Sequence, residues 1–300
     1  MDGHSELNID DAPVLRRPVL ISAFRGWNDG GQAATLAAST LVRAWSAERF
    51  ADIDPEGFVD FQSTRPTVSL VDGLTRRIEW PENIFHAGAI AGTDRDAVIL
   101  LGVEPNYRWR AFNTIVTDLA RELRVELVVT LGALLADVPH TRPAPVTGTA
   151  SDASLVEELG LQASRYEGPT GIVGVLHDAC RQAGIPSVSL WSAVPHYVSL
   201  APSPRAAKAL CVRLSDLIGA PITTTELDEA EEEYATQVSE AVASDPETQA
   251  YVEELEQRAD SLDSFAEEGQ LPTGDALADE LTRYLRDRDR GHGHGHGEDA

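Results

Sequence analysis

Between Pro18 and about Gly219 the sequence alternates short, almost continuous apolar runs with longer amphipathic segments, and this alternation restricts the fold most strongly. Apolar runs with no polar alternation are typical of strands in a parallel sheet that is covered on both faces. The intervening segments repeat their apolar residues every three or four positions, as helices that pack on a sheet do. We therefore predict a three-layer α/β/α sandwich with a mainly parallel or mixed sheet.

The predicted elements follow one another along this region. Strands are expected at 19–24, 58–61, 97–101, 127–131 and 187–191. Helices are expected at 30–42, 112–123, 172–183 and 205–218. The Asp72-Gly73 pair lies between two short β-prone runs and predicts a hairpin, which adds an antiparallel element to the fold.

The chain divides into four parts by composition. Residues 1–17 are predicted to be a flexible N-terminal segment, and residues 18–220 form the α/β core domain. Residues 221–288 are predicted to be an acidic helical extension, because they carry many acids, few cations and only a narrow apolar stripe. Residues 289–300, rich in Gly and His, are predicted to be a disordered tail.

The charge balance excludes several classes of partner. Lys and Arg total 24 and Asp and Glu total 49, which gives a net charge of −25. A chain this acidic has no excess of cations with which to bind nucleic acid or an anionic membrane surface. No apolar run approaches the length of about 18 residues that a membrane span needs. The two cysteines and the absence of a signal-like start predict a cytoplasmic protein.

The sequence contains one lysine, Lys208, so only this residue could serve in a mechanism that needs a lysine side chain. It lies in an alanine-rich, helical stretch, so there is neither a phosphate-binding loop with its Gly-Lys-Ser/Thr nor an obvious Schiff-base lysine. The histidines of the core are too scattered to predict metal ligands, and those of the tail alternate with glycine. We therefore predict no metal site and no cofactor.

The first candidate site is the turn 26–31, which joins a predicted strand to the start of a helix. Backbone N–H groups at a helix start bind anions, and glycine allows a ligand to approach closely. Asn28, Asp29, Gly30 and Gly31 are therefore candidate ligand-binding residues. The alternative is a tight structural turn in which Asn28 or Asp29 caps the helix.

Polar side chains also follow three other predicted strands. Glu104 and Arg108 come after one strand, His140 and Arg142 after the next, and the loop 192–197 after a third. Because the carboxyl ends of parallel strands meet at one edge of a sheet, these groups are expected to converge there. A carboxylate (Glu104, Asp29 or Asp137), a histidine (His140 or His196) and an arginine (Arg108 or Arg142) would be a plausible acid–base set there, but no complete catalytic motif is present.

Three motifs together resemble the PAC2 family, which takes its name from a eukaryotic proteasome assembly chaperone. They are Gly-Trp-Asn-Asp-Gly-Gly at 26–31, Glu-Pro-Asn-Tyr-Arg-Trp at 104–109, and the stretch 131–142 with its Pro-His-Thr-Arg end. The resemblance covers about 14–268 and extends to actinobacterial members that share an acidic helical extension. It implies a phosphorylase/hydrolase-like sandwich and a homo-oligomer, for which we expect a trimer.

In the chaperone branch of that family the partners are α-subunits of the 20S proteasome. Some members dock there through a terminal hydrophobic-Tyr-x tripeptide, whereas this sequence ends in Glu298-Asp299-Ala300. The resemblance therefore does not imply that this chain docks on the proteasome by inserting a C-terminal tripeptide. It carries over no catalytic residue either, because the chaperone branch has no established chemistry.

Two functions follow as hypotheses. The first is a non-enzymatic PAC2-type interaction protein that assists 20S proteasome assembly as a homo-oligomer. The alternative is an anion-binding protein or a hydrolase/phosphorylase-like enzyme at the carboxyl edge of the strands. In the alternative, Glu104 and His140 would move a proton, while Arg108 and Arg142 would neutralise an anion held by the glycine turn.

Overall fold

A computed structural model describes residues 4–151, 156, 167–198 and 200–267, with side chains to residue 261. The strands are β1 (Leu7–Ile9), β2 (Val19–Arg25), β3 (Glu48–Ile53), β4 (Thr67–Val71), β5 (Thr75–Glu79), β6 (Asn83–Ala89), β7 (Asp96–Val103), β8 (Leu127–Ala136), β9 (Val146–Ala150) and β10 (Ser187–Pro195). The described helices are α1 (Ala33–Ala44), α2 (Trp109–Glu122), α3 (Ile172–Ala183), α4 (Pro204–Ile218), α5 (Thr225–Ala243) and α6 (Pro246–Glu267).

Eight of these strands form one mixed sheet in the order β1-β3-β6-β7-β2-β8-β10-β9. The four central strands, β7, β2, β8 and β10, are parallel, and the outer strands pair antiparallel. Alternate residues of the central strands point to opposite faces. Ile21 and Val129 pack with α1 and α4, whereas Leu20 and Val128 pack with α2 and α3. The predicted three-layer α/β/α fold is confirmed.

The strand predicted at 58–61 is wrong. The Phe58 N–H donates to the Pro55 carbonyl at 2.9 Å, so the backbone turns here. The Phe58 carbonyl accepts from the N–H groups of Asn106 and Tyr107 at 2.8 and 3.0 Å. These bonds use the groups that a strand ladder would need, while the apolar Phe58 side chain fills the core. The strand of this region is β3, whose mixed polar and apolar residues gave no continuous run.

The N-terminal segment 1–17, predicted to be flexible, contributes to the sheet. Its residues Leu7–Ile9 form β1, which pairs antiparallel with β3 at the sheet edge. Arg16 binds Asp96 through its backbone N–H at 2.7 Å and through its guanidinium at 2.7 Å. The segment is thereby fixed at two points, by backbone pairing and by an ion pair.

The acidic extension forms α5 and α6, which lie against the core. Helix α5 packs on α4, and α6 packs on α5. Leu277, Leu281 and Leu285 recur at every fourth position, which predicts one more helix in the extension. The extension residues 268–288, which contain this predicted helix, and the tail 289–300 lie outside the described residues. None of the helices in the described part of the chain is long and apolar enough to cross a membrane.

Candidate functional site

The loops that follow β2, β7, β8 and β10 meet at one edge of the sheet, as the parallel topology requires. The turn after β2 crosses to β8, where the N–H of Ala133 donates to the Asn28 carbonyl at 2.8 Å. Asp29 forms an isolated parallel bridge with the same residue. The candidate site is therefore built on a turn that is itself fixed to the sheet.

Asp29 caps the first turn of α1. Its Oδ1 accepts from the backbone N–H groups of Ala34 at 2.8 Å and Thr35 at 3.2 Å, and its Oδ2 accepts from the Thr35 hydroxyl at 2.5 Å. Burial raises the pKa of the Asp29 carboxyl, and the hydrogen bonds from Thr35 and Ala34 oppose that rise. The helix N–H groups that were expected to bind an external anion are thus already occupied by the protein's own carboxylate.

The two glycines after Asp29 permit close packing of this turn. Gly31 has a φ of +56°, and a side chain there would approach the Val194 methyl group to 3.0 Å. A side chain at Gly30 would come within 3.1 Å of the backbone of Leu134. The glycines therefore let the turn lie directly on β8 and β10, which favours the structural interpretation of the motif.

Glu104 links three segments of the edge. Its Oε2 accepts from the Trp27 N–H at 3.0 Å, and its Oε1 accepts from Asn28 Nδ2 at 3.0 Å. The same Oε1 accepts from the N–H of Ile172, the first residue of α3, at 2.9 Å. A carboxylate with three such donors acts as a clamp between the glycine turn, β7 and a helix start.

Arg108 faces away from these groups. Its backbone is left-handed, with a φ of 54°, at the start of α2. Its guanidinium lies 5.0 Å from the centre of the Phe58 ring and binds Glu6 Oε1 at 2.8 Å. Arg108 therefore fastens the N-terminal segment to the core and does not join the candidate anion site.

His140 is buried beneath the acidic extension, with 5% of its surface exposed. Its backbone N–H donates to the Tyr197 hydroxyl at 2.7 Å, and its Nδ1 lies 2.9 Å from the same oxygen. Its Nε2 lies 3.2 Å from the hydroxyl of Ser239 on α5. The Tyr197 hydroxyl can accept the backbone N–H and donate its own proton to Nδ1, and in that tautomer Nε2 carries the ring proton and donates to Ser239. This arrangement fits a neutral imidazole.

Arg142 binds α6 of the extension. Its guanidinium makes a bidentate pair with Asp260 at 2.7 and 2.9 Å, and it lies 3.5 Å from Glu256. Arg205 of α4 binds Glu231 of α5 at 2.8 Å and also donates to the carbonyls of His140 and Arg142. These contacts hold the acidic helices across this half of the sheet edge.

The sequence analysis did not identify the aromatic cluster beside His140. The rings of His196 and Tyr197 contact that of Tyr251 on α6, with centres 5.6 and 6.1 Å apart. Asp137 lies 3.0 Å from His196 Nδ1 and accepts from the Tyr251 hydroxyl at 2.9 Å. The sequence predicted that Asp137 and His196 lie in loops at this edge, but it gave no indication that Tyr251 of a distant helix would cover them.

The structure does not bring the six polar candidates into one site. Asn28 and Glu104 are hydrogen-bonded to each other at the β2 and β7 ends, and Asp29 caps α1 in the same turn as Asn28. His140 and Arg142 lie beneath the extension, where they bind Ser239 of α5 and Asp260 of α6. A cavity of about 10 Å3 lies beside His140, which is about the room that one water molecule needs. Across the described ranges, no group of three or more His, Cys, Asp or Glu side chains is placed to hold a metal ion.

The buried state of His140 predicts a pH effect. Burial, followed by the nearby Arg205 charge, lowers the pKa of His140, so the unfolded chain binds a proton at a higher pH than the folded one. Its contribution to stability is present above about pH 6.5 and is lost as the pH falls toward the lowered pKa. We expect the stability advantage of wild type over His140→Gln to shrink by about 1 kcal/mol between about pH 7.5 and 5.5.

Urea unfolding of both proteins across this pH range measures the difference. Burial also lowers the pKa of His86 and His177, but these residues are present in both proteins and cancel in the comparison. A difference that stays constant over the range would show that His140 is not held neutral in the folded state.

A family model described as the PAC2 family matches residues 23–242. A PAC2 family protein from Streptomyces avermitilis is 48% identical, with a TM-score of 0.73 over 78% of this chain and 99% of its own. The Mycobacterium tuberculosis proteasome-assembly chaperone homologue is 45% identical, with a TM-score of 0.71 over 78% of this chain and 99% of its own. A second M. tuberculosis protein, described as of unknown function, is 28% identical, with a TM-score of 0.79 over 89% and 92%. Among functionally curated proteins there is no significant match.

Proposed function

This chain belongs to the PAC2 family, and on that premise we propose that it is a non-enzymatic, chaperone-like protein that binds 20S proteasome α-subunits during assembly. We propose further that it acts as a homo-oligomer in the cytoplasm, where its two cysteines, both buried as free thiols, stay reduced. The observation that carries the proposal is the similarity to the M. tuberculosis proteasome-assembly chaperone homologue, which extends over nearly all of that protein.

The contacts of the candidate catalytic residues favour this role over the alternative of an enzyme or anion-binding protein. The carboxylates of Glu104 and Asp29 are both engaged by framework N–H groups. A general base needs a lone pair directed at a substrate, and an anion site needs free donors. The motif residues that define the resemblance thus serve the architecture of the edge, and an interaction function does not require them to meet a ligand.

Two exposed aromatic side chains offer a docking surface at the part of the edge near Glu104. Trp27 is 49% exposed and Tyr107 is 55% exposed, although they lie beside a tightly bonded framework. Their loops are joined through Glu104, which accepts the N–H of Trp27 and lies three residues before Tyr107. Rigidly mounted aromatic residues are frequent among the residues that dominate binding energy at protein interfaces. We propose that these two side chains contact the α-subunit.

The test is size-exclusion chromatography with light scattering on the protein alone and mixed with purified α-subunits from the same organism. We expect a stoichiometric complex with the wild type and a loss of affinity of at least about tenfold for Trp27→Ser. Val212→Ser is the matched control, because Val212 is also 49% exposed but lies on α4.

Two results would contradict the proposal. If the wild-type protein does not co-elute with α-subunits when the two are mixed at micromolar concentrations, the α-subunits are not its partner. If Trp27→Ser and Val212→Ser weaken the complex equally, the α-subunit remains the partner but Trp27 does not contact it.

A further inference from the structure

The tip of the hairpin between β4 and β5 is the pair Asp72-Gly73, and both residues are exposed. They adopt positive φ values of 53° and 73°, and the Leu74 N–H closes the turn on the Val71 carbonyl at 3.2 Å. An aspartate that precedes a glycine is prone to cyclise on its own main chain. Because glycine has no side chain, nothing hinders its backbone nitrogen from attacking the carboxyl group of the preceding aspartate.

The surroundings of this tip do little to keep it closed. In the part of the chain that the structure describes, no hydrogen bond or ion pair engages the Asp72 carboxylate. A Cβ atom added at Gly73 would have no neighbour within 4 Å. The hairpin forms a separate two-stranded sheet, and every residue of β5 is exposed. Because such a hairpin is at best marginally stable in water, its tip opens at a low cost in free energy.

A second Asp-Gly pair, Asp29-Gly30, has the opposite surroundings. Asp29 is 6% exposed, and its carboxylate accepts three hydrogen bonds from Ala34 and Thr35. A Cβ atom at Gly30 would lie 3.1 Å from the backbone of Leu134, so this turn packs directly on β8. Burial raises the pKa of Asp29 and thereby favours the neutral carboxyl that cyclises. The ring nevertheless cannot form until the turn leaves the sheet, which costs far more than the opening of an exposed hairpin tip.

We propose that Asp72 is a site of spontaneous main-chain modification, at which aspartate converts to isoaspartate through a cyclic imide. The Gly73 nitrogen forms a bond to Cγ of Asp72, and the carboxyl hydroxyl leaves with the amide proton as one molecule of water. A second water molecule then opens the ring. Attack at Cγ restores aspartate, whereas attack at the main-chain carbonyl leaves the chain linked through the side chain of Asp72. The steps consume no oxidant, reductant or cofactor, and the inference does not depend on the proposed partner.

The product changes the hairpin and leaves the core intact. Isoaspartate adds one methylene group to the main chain and places a free α-carboxylate at the tip. The turn sets the register of β4 and β5, so we expect the conversion to disturb their pairing. The eight-stranded sheet does not include the hairpin and should keep its structure. The exposed α-carboxylate is the group that a carboxyl methyltransferase specific for isoaspartate would esterify.

The test is peptide mapping by mass spectrometry after the folded, full-length protein has been aged in water enriched in a heavy oxygen isotope. Each passage through the imide incorporates one heavy oxygen atom, and chromatography separates isoaspartyl from aspartyl peptides. We expect isoaspartate at position 72 to form at least about tenfold faster than at position 29. In the urea-unfolded chain the two rates should agree within about threefold, because only the fold distinguishes the sites. The third such pair, Asp2-Gly3, lies outside the described residues and gives its own peptide.

Gly73→Asn tests the chemical step. Asparagine accepts the positive φ of the turn, while its side chain hinders the attack of its own backbone nitrogen. We expect the conversion of Asp72 to slow several-fold in this variant. Gly92→Asn is the matched control, because Gly92 is also exposed, has a φ of +79° and open surroundings, but follows Ala91. It should leave the rate at Asp72 unchanged, and far-UV circular dichroism verifies that both variants are folded.

Three results would each overturn the inference. The first is an aged wild-type protein whose peptide with position 72 contains neither isoaspartate nor heavy oxygen. The second is a folded protein in which positions 72 and 29 convert at equal rates, since the packing around Asp29 would then give no protection. The third is a folded Gly73→Asn variant that converts as fast as the wild type and the Gly92→Asn control.

Discussion

Replacing Glu104 with alanine is expected to lower the free energy of unfolding by about 3 kcal/mol. The substitution removes one carboxylate that accepts from the Trp27 N–H, the Asn28 amide and the Ile172 N–H. The Asn28 amide and the Ile172 N–H are partly buried where the loops and the α3 start pack together, so water replaces their lost acceptor poorly, whereas the Trp27 N–H is exposed. A hydrogen bond to a charged group contributes about 1.5–3 kcal/mol, and the three bonds share one geometry and are not additive.

Chemical denaturation monitored by tryptophan fluorescence measures this change. Glu122→Ala is the control, because Glu122 is exposed near the end of α2 and is expected to change stability by less than about 0.5 kcal/mol. Glu104→Gln should also destabilise the protein, since its amide nitrogen would face N–H donors. If Glu104→Ala unfolds at the wild-type denaturant concentration, the carboxylate is not the clamp described above.

The second large effect is expected at Arg205, which joins the core to the acidic extension. Arg205→Ala removes an ion pair to Glu231 and two donors to the carbonyls of His140 and Arg142. Arg205 and Glu231 are only about one-fifth exposed, with 21% and 20% of their side-chain surfaces accessible. Removing one partner of a partly buried ion pair costs more free energy of folding than removing one partner of a surface pair. We expect a loss of about 2–3 kcal/mol and faster amide hydrogen exchange in α5 and α6.

Arg43→Ala is the matched control. Arg43 also reaches α5, through Glu226, but the two side chains are 50% and 69% exposed. Solvent screens such a pair, and its removal should cost less than about 1 kcal/mol and leave hydrogen exchange in α6 unchanged. Equal effects of the two substitutions would show that Arg205 has no special part in holding the extension.

These contacts give the polar residues of the sheet edge structural roles. One half, around Glu104 and Asp29, is a closed network of caps and clamps. The other half, around His140, lies beneath helices held by Arg142 and Arg205. The large apolar side chains that stay exposed in the described part of the chain include Trp27 and Tyr107 at this edge and those of the β4–β5 hairpin.

The sequence by itself determined the layered core, because side chains that face the interior produce apolar patterns within a few neighbouring residues. The apolar strands at β2, β7, β8 and β10 and the three- and four-residue spacings of α2, α3 and α4 are direct consequences of which side chains face the inside. The Asp72-Gly73 turn was equally readable, since both residues adopt the positive φ that such a turn requires, 53° and 73°. Strands with mixed composition, such as β3 and β6, have no continuous apolar run and were not predicted.

The candidate site was decided only by the tertiary structure. The sequence predicted that Glu104, Asp29 and His140 lie at one edge, but their roles depend on partners far away in the chain. Glu104 meets an amide 76 residues before it and an N–H 68 residues after it, and His140 meets a hydroxyl 99 residues after it. A hydrogen bond needs its two atoms within a few tenths of an ångström of the ideal distance. No local pattern encodes that precision, so the packing of the loops and of the acidic extension settles what each polar group does.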